Sequence, residues 1–364
     1  MSGIFTIIIV SGIFVTEDFV SNSKKSWFFF IGVGLWATSA CAQPSFTSQQ
    51  ILIGKDADVQ ATSINDSGIY AANVFGAGGV ALAGAIVNGT TITRLPHVYP
   101  DGAAPLVQAI DNHNNILGYE TEGLFAVPHL FLIRNGKLDR HYDLVLVSSF
   151  GGQPVQPNPI GFSDGRIIFY TEVISFSTPT DPSYGIPRHL VHTPMYDQFQ
   201  TIRSVNSSGV VAGNDYGLGG DNTVFYGQYP RFKQLLPPGA VSAGGGYIND
   251  NNEVAGSYVD ASGTPHGFVY AGGKYTSFDM PAPASKVTVT GISDTGRVVG
   301  VFLSPHGARQ HGFLYNGQTV SSFGDLMGRN NVFVALNNKS QMLLAIQNGL
   351  AWHSYLVTCS GSGC

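Results

Sequence analysis

The sequence predicts an all-β fold, a seven-bladed β-propeller of four-stranded antiparallel blades closed by an N-terminal strand. Two observations lead there: one short turn phrase recurs seven times at near-constant spacing, and the composition suits strands joined by tight turns. Charged residues make up only 11%, while the chain holds 46 Gly, 16 Tyr and 23 Phe. So few charges leave little material for long amphipathic helices, whereas rings suit a pleated surface and Gly suits turns. A repeat array of 364 residues counts as one domain.

The N-terminal stretch reads as an export segment. Lys24 and Lys25 precede an apolar run from Trp27 to Trp36, and Ala40-Cys41-Ala42 places small residues around an expected cut. That order predicts a secretory signal removed after Ala42, leaving residues 43–364 as the mature domain. Residues 1–23, with a second apolar stretch at Ile7 to Val10 and Phe14, sit ahead of a signal that is already complete, which points to Val20 as the true initiator. A competing reading attaches lipid at Cys41, because Thr38-Ser39-Ala40-Cys41 resembles a lipobox without the usual Leu. The expected location is the periplasm or the exterior, with no transmembrane segment in the mature chain. Cys359 and Cys364 lie in a Gly/Ser tail, and an oxidising compartment would let them pair.

The repeated phrase is an apolar residue, a polar pair, usually Gly or Asn, then a β-branched run. It begins at Ile64, Ile110, Phe162, Val205, Ile248, Ile292 and Leu336, at spacings of 46, 52, 43, 43, 44 and 44 residues. Asn, Asp and Gly tolerate positive φ and bond to nearby backbone, so each phrase is expected to turn a hairpin between the first two strands of a copy. Copy six shows the whole unit: strands over Val287 to Ile292, Arg297 to Leu303, His311 to Tyr315 and Thr319 to Phe323, with Asn316-Gly317 turning the last hairpin. A lone four-stranded sheet of this kind has two apolar faces, so neighbours must stack on it. Copy seven runs out after Thr358 with one strand missing, and Ile51 to Gly54 lies where a fourth strand would be expected. That segment is predicted to complete the last blade and latch the chain ends.

His266-Gly267-Phe268-Val269-Tyr270 and His311-Gly312-Phe313-Leu314-Tyr315 resemble the motif of the bacterial extracellular HAF-repeat proteins, named for His-Ala-Phe, with glycine in place of alanine in both copies. His129-Leu130-Phe131 and His189-Leu190-Val191 keep less of it. The resemblance implies export and a propeller-like fold, and it carries no catalytic residues.

Other constellations read as parts of the repeat. Asp66-Ser67-Gly68 and Asp294-Thr295-Gly296 look like the triplets of pepsin-like proteases, whose carboxylates must share a proton, yet both fall at the hairpin position. His129, His189, His266, His311 and His353 fall at or near the start of third strands. Successive blades spread such positions too far apart for one metal ion, so they are expected to bond neighbouring loops. Gly76-Ala77-Gly78-Gly79 and Gly217-Leu218-Gly219-Gly220 precede no convincing helix and read as loops. Asp215 near Asp221 is a faint calcium suggestion, and Glu120 with Glu122 is an acidic pair on one strand face. No cofactor or metal is expected. Lys and Arg total 18 against 23 acids, for a net charge of −5 with no basic run, which argues against nucleic acid.

First-to-second and third-to-fourth turns are short. The second-to-third loops and the connections between copies are long and variable, and they emerge together on the opposite face, where binding residues concentrate. Tyr119, Glu120, Asp215, Tyr216, Tyr258, Asp260, His306 and Arg309 are placed there, with an insertion from Ser175 to Pro187 overhanging one side. Tyr, Asp and Arg there could hold sugars or peptides by stacking and bidentate bonds. The expected function is a monomeric, non-enzymatic binder of an extracellular polysaccharide or protein. The alternatives are a glycan hydrolase or lyase on the same scaffold, and a structural surface repeat or adhesin.

Overall fold

The computed structural model describes residues 44–53, 58–98, 102–122, 127–142, 146–147, 154–155, 158–163, 166–170, 190–192, 200–216, 222–228, 231–305, 310–325, 330–361 and 363–364. All lie in one compact unit from Ala42 to Cys364. They form six four-stranded antiparallel sheets and contain no α-helix.

Five of these sheets are meanders whose strands follow chain order. Sheet one comprises Val59–Ile64, Tyr70–Phe75, Ala81–Asn88 and Thr91–Arg94, and sheet two Leu106–Ile110, Ile116–Glu122, Val127–Arg134 and Lys137–Tyr142. Sheet four comprises Gln200–Val205, Val211–Tyr216, Asn222–Gln228 and Arg231–Leu235. Sheet five comprises Ala240–Ile248, Val254–Asp260, Pro265–Ala271 and Lys274–Phe278, and sheet six Lys286–Ile292, Val298–Leu303, Gln310–Tyr315 and Val320–Asp325.

Sheet seven comprises Asn330–Leu336, Gln341–Asn348 and Ala351–Ser360 of the seventh copy, and its fourth strand, Ser45–Gln50, comes from the other end of the chain. Ser45–Gln50 pairs antiparallel with the last strand, from Ser45 opposite Ser360 to Gln50 opposite Tyr355. The expected strand at Ile51 to Gly54 is therefore displaced toward the N-terminus. An edge strand faces solvent along one side and needs few apolar residues, so its polar sequence escapes a hydrophobicity signal. Phe46 is its anchor, 5.3 Å from the Phe323 ring. Ile51 and Ile53 instead plug the core between sheets seven and one, with Leu52 between them exposed.

Copy three departs from the predicted four-stranded antiparallel unit. Asn158–Ser163 pairs antiparallel with Arg166–Tyr170, but Leu190–His192 runs parallel to the latter. Nineteen residues separate Tyr170 from Leu190 in the sequence, far more than a tight hairpin turn uses.

Two local rules explain the repeat. At the hairpins, Asn65 Oδ1 accepts the backbone N–H groups of Ser67 and Ile69, both at 3.0 Å, and Gly68 turns the chain at φ +84°. Asn206, Asn249 and Asn337 bond in the same way. Such Asx turns hold the backbone in place of a ladder bond. In the sheets, a third-strand Phe lies opposite a second-strand Gly: Phe131 on Gly118, Phe225 on Gly213, Phe268 on Gly256 and Phe313 on Gly300. A Cβ at Gly118 would stand 2.3 Å from the Phe131 ring. The motif glycine repeats the device one strand outward, since a Cβ at Gly267 would lie 2.1 Å from the Phe278 ring and one at Gly312 2.5 Å from Phe323. At both positions a fourth-strand ring thus occupies the space that a methyl would need.

Apolar residues of adjacent sheets merge into shared cores. Val299, Leu314 and Phe323 of sheet six pack with Met342, Leu344 and Val357 of sheet seven, and Val224 and Leu235 of sheet four with Ile248, Phe268 and Tyr270 of sheet five. These shared clusters place much of the hydrophobic stabilisation at the interfaces between sheets.

Candidate functional site

At the turn end, the Asn that heads the phrase in copies one, four, five and seven reaches into the next copy. Asn65 Nδ2 donates to the carbonyl of Asp111 at 3.1 Å, Asn206 Nδ2 to Asn249 at 3.1 Å and Asn249 Nδ2 to Ser293 at 2.8 Å. Asn337 Nδ2 donates to Asn65 at 3.0 Å, across 272 residues of chain. The next residue repeats the pattern closer to solvent. Backbone N–H groups of Asp66, Ser207, Asp250, Asp294 and Asn338 donate to side-chain oxygens of Asn112, Asp250, Asp294, Asn338 and Asp66, all at 2.7–2.8 Å. Asn338 Nδ2 also bridges the carboxylates of Asp66 and Asp294, at 2.7 and 2.8 Å. The two protease-like triplets therefore flank an amide and serve as acceptors in a clasp.

The loop end of sheet five gathers a different group. Asp260 closes the second strand and Pro265 opens the third. Between them Asp260 Oδ1 accepts from the N–H groups of Ser262 and Thr264, at 2.9 and 2.8 Å, and from the Ser262 hydroxyl at 2.7 Å. The Ser262 hydroxyl above all, with these N–H groups and His266, holds the Asp260 carboxyl at about 2. His266 Nε2 lies 3.3 Å from Asp260 Oδ2, and its Nδ1 lies 2.5 Å from Asp279 Oδ1, at the head of the connection to sheet six. Burial pulls the imidazole toward neutrality, but the Asp279 and Asp260 carboxylates prevail and its pKa is raised. The ring stacks on Tyr258, its cross-strand partner, at 4.8 Å and 22°. Tyr258 donates its hydroxyl to Ser277 Oγ at 3.1 Å. His311 repeats the stack on Phe302 at 5.0 Å.

The structure brings together only part of the expected loop-face set. Tyr258 and Asp260 meet there, joined by His266 and Asp279. Glu120 and Asp215 are buried strand residues rather than solvated loop residues. Glu120 accepts from Val98 N at 2.8 Å and lies 2.9 Å from His97 Nδ1; Asp215 accepts from Gln234 Nε2 at 3.0 Å. Both are still within the ladder, opposite His129 and Thr223, because the second strands run further than the turn pattern suggests. Tyr119 is a half-buried strand residue whose phenol is pushed up by burial, and Tyr216 ends its strand opposite Asn222. His306, Arg309 and the Ser175 to Pro187 insertion lie outside the described residues. Asp279 escaped the sequence reading although it directly follows the fourth-strand Phe278, a position fixed by the repeat.

Cys359 and Cys364 form a disulfide with Cα atoms 5.5 Å apart. It folds the tail back so that the Cys364 carbonyl accepts the Ser340 hydroxyl at 2.6 Å and the Gly363 carbonyl accepts Asn316 Nδ2 at 2.9 Å. Among the described residues, no three His, Cys, Asp or Glu side chains are placed to hold a metal ion. No helix there is long and apolar enough to cross a membrane.

No family model matches this chain, and no curated protein matches it. Among solved structures, the chain is similar to AofleA from Arthrobotrys oligospora, with 11% identity and a TM-score of 0.39 over 87% of this chain and 90% of that one. It is also similar to the fucose-specific lectin from Aleuria aurantia, with 9% identity and a TM-score of 0.35 over 84% and 96%. A chain of the mitotic checkpoint complex shows 10% identity and a TM-score of 0.44 over 94% and 99%. At such values, fold and ligand are read from this chain's own residues.

Proposed function

We propose that this chain is an exported, non-enzymatic seven-bladed β-propeller that binds a polysaccharide at its loop end. The seven-blade reading is supported by the turn phrase, present seven times, and by first strands that lie against one another from copy one through copy seven and back to copy one. Asn and Asp clasps join copies one to two, four to five, five to six, six to seven and seven to one. Export is supported by Lys24, Lys25, the apolar run and the small residues at 40–42, and by the disulfide.

The observation that carries the binding reading is the Tyr258, Asp260, His266 and Asp279 group. Asp279 is largely exposed, so one fixed carboxylate and an aromatic edge stand at the loop end. Carboxylates that stay ionised accept hydrogen bonds from sugar hydroxyls, and aromatic rings pack against pyranose C–H faces. A general acid needs a carboxyl poised near the working pH; Asp260, held at about 2, is an acceptor instead. A glycan array with the full chain should give a signal that Asp279→Asn and Tyr258→Ala each weaken, without release of reducing ends. Binding that survives both substitutions would refute this site, and turnover lost in Asp279→Asn would favour the hydrolase.

A further inference from the structure

A second group lies at the junction of sheets four and five, on their outer strands and nearer the turn end. Lys233, on the fourth strand of sheet four, crosses the junction to the Tyr270 hydroxyl and stands 4.7 Å over its ring. Tyr226 and Tyr275 flank Tyr270, with ring centroids at 5.7 and 4.9 Å. Tyr226 is the cross-strand partner of Lys233, and Tyr275 that of Tyr270, so two sheet registers converge on one ammonium. The Lys233 bond lowers the Tyr270 phenol and raises the Lys233 amine, which keeps the lysine charged at any physiological pH.

The charge of this region runs against that of the chain. The third and fourth strands of sheets four and five, Asn222–Gln228, Arg231–Leu235, Pro265–Ala271 and Lys274–Phe278, carry Arg231, Lys233 and Lys274 and contain no Asp or Glu, whereas the whole chain is at −5. Among the described residues no carboxylate pairs with Lys233; its partners are phenols. Lys233 is exposed, so its ammonium is open to solvent beside these rings. An ammonium beside aromatic rings, with no carboxylate partner among the described residues, suits an anion carried on an apolar-faced ring.

We infer that the junction of sheets four and five is a binding site for a carboxylated polysaccharide, with Lys233 pairing a uronate carboxylate and Tyr226 and Tyr275 facing the sugar ring. Polar contact to an ammonium sets the charge requirement, and the rings favour a pyranose over an extended acidic peptide. Three cations on these strands are too few to hold a nucleic-acid backbone at physiological salt. The site is separate from the loop-end group around Asp260, so the two proposals stand or fall independently.

The test is isothermal titration of the full chain with polygalacturonate oligomers, with dextran, polyglutamate and oligothymidylate alongside. Polygalacturonate should bind and weaken as salt rises, and Lys233→Gln should weaken it about tenfold, the value of one charge-assisted bond. Lys233→Arg should recover most of that loss. Asp279→Asn should leave this binding unchanged, whatever it does at the loop end. The unfolding midpoint of Lys233→Gln should stay within about 2 °C of the parent, because the side chain is exposed. Absent binding, equal binding by Lys233→Gln, or equal binding of dextran, polyglutamate or oligothymidylate would each overturn the inference.

Discussion

Asn337→Ala tests the clasp where it joins the chain ends. The side chain is buried and makes four bonds: Nδ2 to the Asn65 carbonyl at 3.0 Å and to Gln341 Oε1 at 2.9 Å, and Oδ1 from the N–H groups of Lys339 and Gln341, both at 3.0 Å. At about 1 kcal/mol net per neutral bond the sum is roughly 4 kcal/mol. Water reaches the exposed Lys339 segment and restores part of it, which leaves about 2–4 kcal/mol. Asn206→Ala likewise removes four bonds, the local pair of acceptor bonds and the donor bonds to the Asn249 carbonyl and Asn252 Oδ1, at a junction that does not join the ends. Asn337→Asp keeps the turn acceptors, loses the two donor bonds and sets a carboxylate against the Asn65 carbonyl. Chemical denaturation should therefore place Asn337→Ala and Asn206→Ala at similar losses, with Asn337→Asp also well below the parent. Hydrogen exchange in Ser45–Gln50 should accelerate in Asn337→Ala and not in Asn206→Ala. An Asn337→Ala midpoint within about 0.5 kcal/mol of the parent would refute the assignment of the clasp as a stabilising element.

Other substitutions probe the repeat and its loop end. Gly267→Ala should destabilise by about 1–3 kcal/mol, because the Phe278 ring that its Cβ meets is itself stacked on Tyr315 at 4.1 Å and has nowhere to go. Adding Phe278→Leu should recover much of that loss in the same melts, and an unaltered single mutant would refute the ring-for-methyl account. His266 has a raised folded pKa, so its contribution is complete below the ordinary value of 6.5 and fades as pH climbs through the raised one. His266→Gln should therefore lower the urea midpoint more at about pH 5.5 than at about pH 8.5. Asp260 has the opposite sign: its contribution is complete above 3.8 and is lost as pH falls toward about 2, a slope that Asp260→Asn should flatten. Cys359→Ser should cost about 2 kcal/mol by freeing the short tail loop, with differential scanning calorimetry as the readout.

Chain order alone made the hairpins legible. Asn, Asp and Gly at fixed offsets dictate turns through bonds spanning four residues or fewer, so the units at Ile64, Ile110, Val205, Ile248, Ile292 and Leu336 and the four strands of copy six can be read without coordinates. The edge strand Ser45–Gln50 could not be read this way, because its stability comes from Ala351–Ser360, more than 300 residues away, and an edge strand leaves little apolar trace. Copy three could not either, since a long connection leaves strand direction open.

The candidate site divides along the same line. Tyr258 and Asp260 were visible as polar residues where a second strand meets a variable loop. Only packing decided that His266 and Asp279 complete the group, that Glu120 and Asp215 are sealed in the ladder, and that Lys233 meets Tyr270 across two sheets. The physical reason is range. Backbone torsions and Asx bonds act over a few residues and are written in order along the chain, whereas burial and side-chain partners depend on which sheets are stacked, and those contacts join residues tens to hundreds of positions apart.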